Sequence, residues 1–373
     1  MEDSSPHIAT IADVARLAGV SIATVSRVVN GSTPVIPETA ERVHAAVRQL
    51  CYVPRAAARV LASRKTQTIG LLVPEIGGDF FPPMLRGIET AIREMGYSLL
   101  IQTSFLDQDG LRQATLGEHN TDGLLVFTRS LPEQELRRLR RSRFPVVLLH
   151  RAAPEGLDIP TVTVENKNGT LLAVEHLVQA HHRRRIVFLR GPEGSEDSLW
   201  RERGYMLALE AAGIPFDPTL VARSGYSRDG AYHAIRELIR KGVLFDAVFS
   251  GDDDSATGVL TALREAGIKV PTQVAVIGFD DVSFSIHLSP PLTTVHAPLE
   301  QVGREAVRQL IQLIRGEVEA EPRVTLLPTQ LIIRQSCGCR VESHISTLKY
   351  REAPKPKPGQ GLLNLIPPNR HGR

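Results

Sequence analysis

Side chains near the start of the chain are spaced so that they could make contacts with the edges of nucleic-acid bases. Ser26 and Arg27 lie one helical turn beyond Ile22 and Ala23, in a short stretch that follows Gly19. Arginine can donate two hydrogen bonds to a guanine or hold a phosphate, whereas the two apolar side chains could only touch thymine methyl groups. This pattern indicates that the stretch reads duplex DNA in the major groove.

Three short helices are predicted to position these side chains. Residues 10–13 form a capping box, and Gly19 suits the end of the first helix because glycine tolerates a positive φ. Ser21 caps a second helix over 22–29, and a third helix runs from Pro37 to about residue 50. Two helices joined by a tight glycine turn are typical of a DNA-reading hairpin. The same spacing also fits a small three-helix module that binds protein.

The charge of the chain is concentrated in this head. The formal net charge is +3, and up to Lys65 eight Lys/Arg face five acids, which gives 8 − 5 = +3. A basic head on a nearly neutral remainder suits contact with phosphates. A merely solvated surface would have the same charge.

Residues 52–65 form an alanine-rich, basic stretch that would be marginal as a free helix in water. Against DNA and a partner copy such a stretch could become ordered. Leu61 is the apolar residue placed to wedge between base steps in the minor groove. The alternative is an ordinary helical linker whose Leu61 packs on the rest of the protein.

From Thr68 onward, apolar runs alternate with amphipathic stretches. The runs predict strands at 69–73, 98–102, 124–127, 146–149, 186–189, 247–249 and 274–277, with the first following helix over 84–95. Continuous apolar strands joined by helices imply parallel sheets covered on both faces. So long a series predicts an α/β body of two doubly wound parallel-sheet lobes, which would bind ligands at the carboxyl ends of their strands.

Bulk features exclude several classes of protein. No apolar run approaches the roughly 20 residues that span a bilayer, and the polar first residues do not resemble a secretory signal. Three cysteines are too few for a disulfide framework. We therefore expect a cytoplasmic protein that does not contact membranes.

Several motifs resemble the lactose-repressor (LacI/GalR) family of transcriptional regulators. The head matches at TIADVA (10–15), AGVS (18–21) and TVSRVVN (24–30), and the hinge at YVP (52–54) and ARVL (58–61). The body matches at GLLVP (70–74), DG (122–123), EHL (175–177), RERGY (201–205), DSATG (254–258), VIGFDD (276–281) and PPLTTV (290–295).

The resemblance implies a homodimer on a pseudo-palindromic operator, controlled by a small-molecule effector, expected to be a sugar. It implies a body like the sugar-binding periplasmic receptors, with two lobes joined by three crossing segments. We divide the chain into a helix-turn-helix domain at 1–53, a hinge helix and linker at 54–66, an effector-binding and dimerisation domain at 67–340, and a disordered, Lys-Pro-rich tail at 341–373. The expected DNA contacts are Thr10, Ser21, Ile22, Ala23, Thr24, Ser26, Arg27, Asn30, Thr39, Arg55, Ala58 and Leu61.

The resemblance also implies five effector-binding residues: Phe80, Arg201, Tyr226, Asp253 and Asp280. These types suit a small polyol, because the charged groups can grip hydroxyls while the aromatic faces cover a sugar ring. Arg201 and Asp280 could instead pair with each other, and the two aromatic residues could be plain core. The effector could act as an inducer or as a corepressor, and a phosphoprotein could also be the corepressor.

Other chemistries are weaker alternatives. The acids at 252–254 could suggest a metal site, and the cysteines of 337–339 with His344 could suggest a zinc site. Capping or solvation of the acids and free thiols are the preferred interpretations. The histidines at 181–182 are expected in an exposed turn. No catalytic nucleophile elbow or nucleotide-binding glycine loop occurs in a fitting context, so we predict no enzyme and no cofactor. A solute receptor would need an export signal and would lack the head.

Overall fold

The structure is a computed structural model, and it describes residues 9–30, 33–52, 65–103, 115–318 and 323–340. The predicted hinge contacts Arg55, Ala58 and Leu61 lie outside the described residues, as do His344 and the predicted tail at 341–373. No helix in the described part of the chain is long and apolar enough for a bilayer crossing.

The head consists of three helices, α1 (Ile11–Ala18), α2 (Ile22–Asn30) and α3 (Pro37–Gln49), as predicted. The α1 helix starts at a reciprocal capping box between Thr10 and Asp13 and ends at Gly19, whose φ is 63°. The apolar faces enclose one small core, in which Val14, Val25 and Val43 are completely buried. The turn between α1 and α2 is therefore held by the packing of the two helices that flank it.

The body alternates strands and helices along the chain. Its elements are β1 (Thr68–Val73), α4 (Phe81–Glu94), β2 (Ser98–Thr103), β3 (Gly123–Phe127), α5 (Glu133–Arg141), β4 (Val146–Leu149), β5 (Thr161–Val164), α6 (Asn166–His181), β6 (Ile186–Arg190), α7 (Glu196–Ala211), β7 (Val221–Arg223), α8 (Arg228–Arg240), β8 (Ala247–Ser250), α9 (Asp253–Glu265), β9 (Ala275–Asp280), β10 (Thr293–His296), α10 (Leu299–Arg315), β11 (Val324–Leu327) and β12 (Gln330–Ile332).

These strands form two six-stranded sheets, one for each lobe. The order is β11-β5-β4-β3-β1-β2 in the N-lobe and β12-β10-β9-β8-β6-β7 in the C-lobe. The central strands β1, β3, β8 and β9 are almost entirely buried between helices. The two predicted doubly wound lobes are thus confirmed.

The chain crosses between the lobes three times. It leaves the N-lobe after β5, returns after β10 into α10, which packs on α4, and crosses again between β11 and β12. Two crossings are bonded together: the Glu165 amide donates to the carbonyl of Leu327 (2.9 Å), and the Thr329 hydroxyl donates to the carbonyl of Glu165 (3.1 Å). Both lobes are therefore built from non-contiguous stretches of chain.

One strand departs from the predicted all-parallel arrangement. β12 runs antiparallel to β10. β11 runs towards the carboxyl edge of the N-lobe sheet, and only residues 328–329 separate it from β12. The chain consequently enters the C-lobe sheet at its carboxyl edge and must run in the reverse direction.

Two glycines bring α4 and α10 into close contact. A Cβ at Gly87 would overlap the carbonyl oxygen of Glu300, and a Cβ at Gly303 would overlap the carbonyl oxygen of Met84. The backbones of the two helices therefore touch directly, and neither position has room for a side chain.

We expect Gly87→Ala to lower the thermal unfolding midpoint of the body. Alanine is favoured over glycine inside a helix by about 1 kcal/mol. Here the added methyl group must push two backbones apart, and overpacking of this kind costs about 1–3 kcal/mol. The matched control is Gly77→Ala, at a position where a Cβ would meet no atom within 4 Å. Equal midpoints for the two variants in scanning calorimetry would contradict this account.

Candidate DNA-binding and ligand-binding sites

The outer face of α2 carries the side chains predicted to reach base edges. Ile22, Ala23 and Arg27 are exposed, and Ser26 is half-buried. The side chain of Ile22 is 51% exposed, although isoleucine is among the most buried residue types. Val25 points the other way and is fully buried in the head core. The helix therefore presents an apolar start, with a cation about one turn later, on one accessible face.

Three hydroxyl groups among the expected DNA contacts lie at the N-terminal ends of α1 and α2. The oxygen of Ser21 accepts a hydrogen bond from the Thr24 amide at 3.1 Å, and the two hydroxyls are 2.9 Å apart. The hydroxyl oxygen of Thr10 accepts from the Asp13 amide at 3.3 Å. Helix N-termini attract anions, because their backbone N–H groups and dipoles point outward. Both caps are thus placed where a phosphate could approach.

The remaining predicted DNA contacts are only partly described. Thr39 is half-buried in the first turn of α3, and Asn30 is the last residue of α2. The hinge residues lie outside the described part of the chain.

Contacts between the lobes join the carboxyl edges of the two sheets. The Nδ1 atom of His150, directly after β4, lies 2.8 Å from Oδ2 of Asp197 in the first turn of α7. The guanidinium of Arg129, which follows β3, donates to the carbonyl of Glu193 at 3.0 Å. The strand ends of both lobes therefore face one another, as expected for a ligand-binding cleft.

A buried arginine occupies the centre of this region. The Nε of Arg201 donates to Oδ1 of Asn166 at 2.8 Å, and Nη1 donates to the carbonyl of Gly251. Nη2 lies 3.3 Å from Oδ1 of Asp280, and the guanidinium carbon lies 3.7 Å from the ring centroid of Phe279. Of the two sequence-based alternatives, the structure has Arg201 and Asp280 paired. The guanidinium still has N–H groups that these bonds do not use.

Several buried polar atoms near Arg201 have no hydrogen-bond partner among the described residues. They are Nε2 of His150, Oη of Tyr226 and Oδ1 of Asp252. The Tyr226 ring itself is held in place, because it packs so closely on Gly191 that a Cβ there would overlap it. An unsatisfied buried polar group costs about 1–3 kcal/mol. Donors and acceptors left unpaired at one place indicate that they bond to something other than the protein.

Phe80 supplies an aromatic surface on the N-lobe side of the cleft. Its ring is half-buried and packs edge-to-face with Phe127, at 6.0 Å between centroids, and with His150, at 5.5 Å. An aromatic cluster beside a few unpaired polar atoms is the usual composition of a small-molecule site.

Asp253, which the resemblance implies as an effector-binding residue, is bonded within the C-lobe. It is fully buried, and its two carboxylate oxygens accept hydrogen bonds from the Thr294 hydroxyl (2.6 Å) and the Val282 amide (3.0 Å). Burial raises the pKa of Asp253 well above its usual value. Because both oxygens are engaged inside the C-lobe, the expectation that Asp253 meets a ligand finds no support here. The carboxylate with an unpaired oxygen belongs to the preceding residue, Asp252.

Asp252 carries an unusual proton affinity. Burial raises its pKa to about 7, and the nearby charge of Asp280 adds to this, while the amide of Ser255 and the charge of Arg201 oppose it. The other carboxylate oxygen caps α9 by accepting from the Ser255 amide at 3.3 Å. Asp252 can therefore exchange a proton near neutral pH.

Backbone strain is concentrated at the same strand ends. His150, Tyr226, Asp280 and Asp281 all have positive φ, and the value at Asp280 is 103°. Such conformations are uncommon without glycine and cost about 1–3 kcal/mol each, so they persist where a site demands them.

Sequence reasoning missed four cleft residues: His150, Asn166, Asp197 and Asp252. His150 and Asp252 come within two residues of the ends of predicted strands, which is the signal that could have identified them, whereas Asn166 follows β5, which the sequence did not predict. Asp197 lies at the start of a helix, beside a family motif rather than in it.

We expect Asp252→Asn to remove a pH dependence of stability. The folded-state pKa is above that of an unfolded aspartate, about 3.9, so stability is complete below about pH 4 and falls as the pH rises to about 7. Asparagine cannot lose a proton but still caps a helix. The advantage of the variant over the parent should grow by up to about 4 kcal/mol from pH 4 to pH 8 in chemical unfolding. Exposed Asp229→Asn is the control, and a variant that tracks the parent at every pH would refute the assignment.

Comparison with known proteins matches the head and part of the body to two family models. Residues 10–55 match the model for bacterial regulatory proteins of the lacI family, and residues 174–337 match the periplasmic binding protein-like domain. The transcriptional regulator CelR of Thermobifida fusca is 36% identical over 336 residues, with 88% of this chain and 98% of CelR covered. Catabolite control protein A of Priestia megaterium is 34% identical over 332 residues, with 88% and 98% covered.

Solved structures give the same result. The lac repressor dimer bound to operator and the anti-inducer ONPF matches with a TM-score of 0.77 and 26% identity, over 89% of this chain and 99% of that one. A CelR–cellobiose complex matches with a TM-score of 0.65 and 34% identity, over 88% and 99%. The chain belongs to the lacI family of bacterial regulatory proteins and is a DNA-binding transcriptional regulator.

Proposed function

We propose that this regulator is a repressor that binds a pseudo-palindromic operator as a homodimer and that a sugar in the interlobe cleft sets its DNA affinity. The observation that carries the proposal is the group of buried, unpaired polar atoms at the facing strand ends, on a chain whose head exposes Ile22, Ala23 and Arg27. One feature supplies a ligand site and the other a DNA-reading surface.

The proposed division of labour follows the sequence-based boundaries. Residues 1–53 bind DNA, 54–66 form the hinge, and 67–340 bind the effector and the partner copy. The lac repressor dimer on its operator supports the two-fold arrangement. Two linked heads on one site bind with greater avidity than either head alone.

In the head, Arg27 reads a base or phosphate while Ile22 and Ala23 contact thymine methyl groups. Their exposure on one face of α2 supports this assignment. The Ser21, Thr24 and Thr10 hydroxyls fix the register on the phosphate backbone, which positions a protein without specifying sequence.

The effector is proposed to be a sugar with several free hydroxyls. A hydroxyl both donates and accepts, so it satisfies a carboxylate oxygen, an imidazole nitrogen and a tyrosine hydroxyl alike. Asp252, His150 and Tyr226 offer these groups, and Phe80 offers an apolar face. The cellobiose complex of CelR supports the class of ligand, since CelR is similar over the whole body. We place Asp252, rather than Asp253, in the binding set.

Coupling to DNA requires that the ligand changes the contacts between the lobes. The His150–Asp197 and Arg129–Glu193 pairs span the cleft, so a ligand that bonds to His150 alters how firmly the lobes are held together. Effector coupling of this kind is typically worth about 1–3 kcal/mol.

We further propose that the protein has no catalytic activity. The relatives reported above are regulators, and the carboxylates of Asp197 and Asp280 are engaged by His150 and Arg201. Turnover of any sugar that the purified protein binds would refute this part of the proposal.

We expect Arg27→Ala to weaken binding to the specific operator by about 10- to 100-fold, since a bidentate base contact is worth about 1–3 kcal/mol. The probe is a duplex selected by the parent protein from a random library, measured by fluorescence anisotropy at fixed salt. Arg48→Ala, on the exposed face of α3, is the matched loss of charge. Equal losses in both variants would mean that Arg27 supplies only general attraction to DNA.

We expect Tyr226→Phe to weaken the best sugar found in a thermal-shift screen of the parent by roughly tenfold, because one hydrogen bond of about 1–1.5 kcal/mol is lost. The ring remains against Gly191, so the fold should be unchanged. The control is Tyr232→Phe, whose hydroxyl donates to Glu265 on the surface at 2.7 Å. Titration calorimetry gives the affinities, and unaltered affinity in Tyr226→Phe would place the sugar elsewhere.

A further inference from the structure

Two histidines and two cysteines from distant parts of the chain meet at one end of the C-lobe. His176 and His181 lie in the last turns of α6, while Cys337 and Cys339 lie in the turn that follows β12. The four possible ligand atoms all lie within 4.8 Å of one another. Sequence reasoning expected free thiols and an exposed histidine turn, but His181 is half-buried against Cys339.

The distances among His176, His181 and Cys339 match the edges of a coordination tetrahedron, and the sulfur of Cys337 lies within 4.8 Å of the other three ligand atoms. Zinc binds histidine nitrogen at about 2.0–2.1 Å and cysteine sulfur at about 2.3 Å, which gives edges of about 3.3 Å between two nitrogens and about 3.6 Å between nitrogen and sulfur. The Nε2 atoms of His176 and His181 are 3.3 Å apart. The sulfur of Cys339 lies 3.6 Å from the first and 3.3 Å from the second.

The cysteine turn is held in position by bonds that do not involve the cluster. Ser336 is fully buried, its hydroxyl donates to the carbonyl of Val276 (2.6 Å), and the Val276 amide donates to the Ser336 carbonyl (2.8 Å). Gly338 has a φ of 112°, and a Cβ there would lie only 3.1 Å from Nδ1 of His181. The turn therefore packs closely against the C-terminal end of α6, and glycine at position 338 can adopt the positive φ that this packing requires.

We propose that His176, His181, Cys337 and Cys339 bind one zinc ion. Two thiolates and two imidazoles favour zinc over hard cations such as magnesium and calcium, and four protein ligands leave no open position for a substrate. The site is therefore structural. Binding converts the two thiols to thiolates and releases their two protons to solvent, while both imidazoles coordinate in the neutral form.

The ion fastens the turn after β12 to the C-terminal end of α6. The N-terminal residue of the same helix is Asn166, which holds Arg201 in the cleft. Zinc would thus fix one end of a helix whose other end supports the ligand-binding region. This inference rests on the cluster alone and is independent of the proposed effector.

The test uses the full-length chain, kept reduced and stripped of metal with a chelator, then titrated with zinc. Mass spectrometry of the dialysed protein should give one zinc per chain. Cobalt in place of zinc should give the strong visible absorption of tetrahedral thiolate coordination, and zinc should raise the thermal unfolding midpoint of the body. Titration of all three thiols before loading shows that the parent protein is reduced. If this reduced protein binds no zinc, the proposal is wrong.

Two variants and two matched controls locate the ion. Cys339→Ser and His181→Asn should lose the stoichiometric zinc, the cobalt spectrum and the zinc-dependent rise in midpoint. The controls Cys51→Ser and His182→Asn change exposed residues outside the cluster and should keep all three. Circular dichroism establishes that each variant is folded. If Cys339→Ser does not fold, the zinc content of His181→Asn alone tests the site. Full zinc binding by both folded variants would place the ion elsewhere and refute the site.

Discussion

A single buried guanidinium organises the floor of the cleft. Arg201 is surrounded by the start of α6 at Asn166, the end of β8 and the end of β9 at Asp280. A buried charge that loses its partners costs several kcal/mol, so these three elements must stay in register around it. Asp197 lies on α7, the helix that also carries Arg201. Its carboxylate bonds to Asn166 and to His150, and His150 belongs to the other lobe. The requirement to pair one cation therefore connects the C-lobe interior with the interface between the lobes.

The sequence predicted the strands that contain a continuous apolar run and missed those in which threonine interrupts the run or the strand is very short. The run at 146–149 coincides with β4, and the runs for β1, β3 and β6 differ from the structure by one residue at one end. β5 and β10 were missed because threonine interrupts their apolar pattern, although hydroxyls such as that of Thr294 are buried and bonded. β7 and β12 have three residues each, too few to show a period.

The functional sites also differ in whether neighbouring residues in the sequence are enough to predict them. The exposed face of α2 follows from a capping box, a glycine turn and a helical period, all within one short stretch. The resemblance placed Arg201 and Tyr226 in the cleft but chose Asp253 where the geometry favours Asp252. No local pattern reveals that Cys339 lies beside His181, because the two residues are 158 positions apart and meet only when α6 packs beneath the turn after β12. A sequence search for further metal ligands beside the cysteines could only identify histidines that are close to them in the sequence.

The threefold crossing of the chain has a consequence for biosynthesis. The head core is complete by residue 52, whereas the N-lobe sheet needs β11 and the C-lobe sheet needs β12, which ends at Ile332. At about 5–20 residues per second, a ribosome needs tens of seconds to add the intervening polypeptide. During that interval a nascent chain has a finished DNA-binding head and two unfinished lobes. Responsiveness is therefore the last property that a newly made molecule acquires.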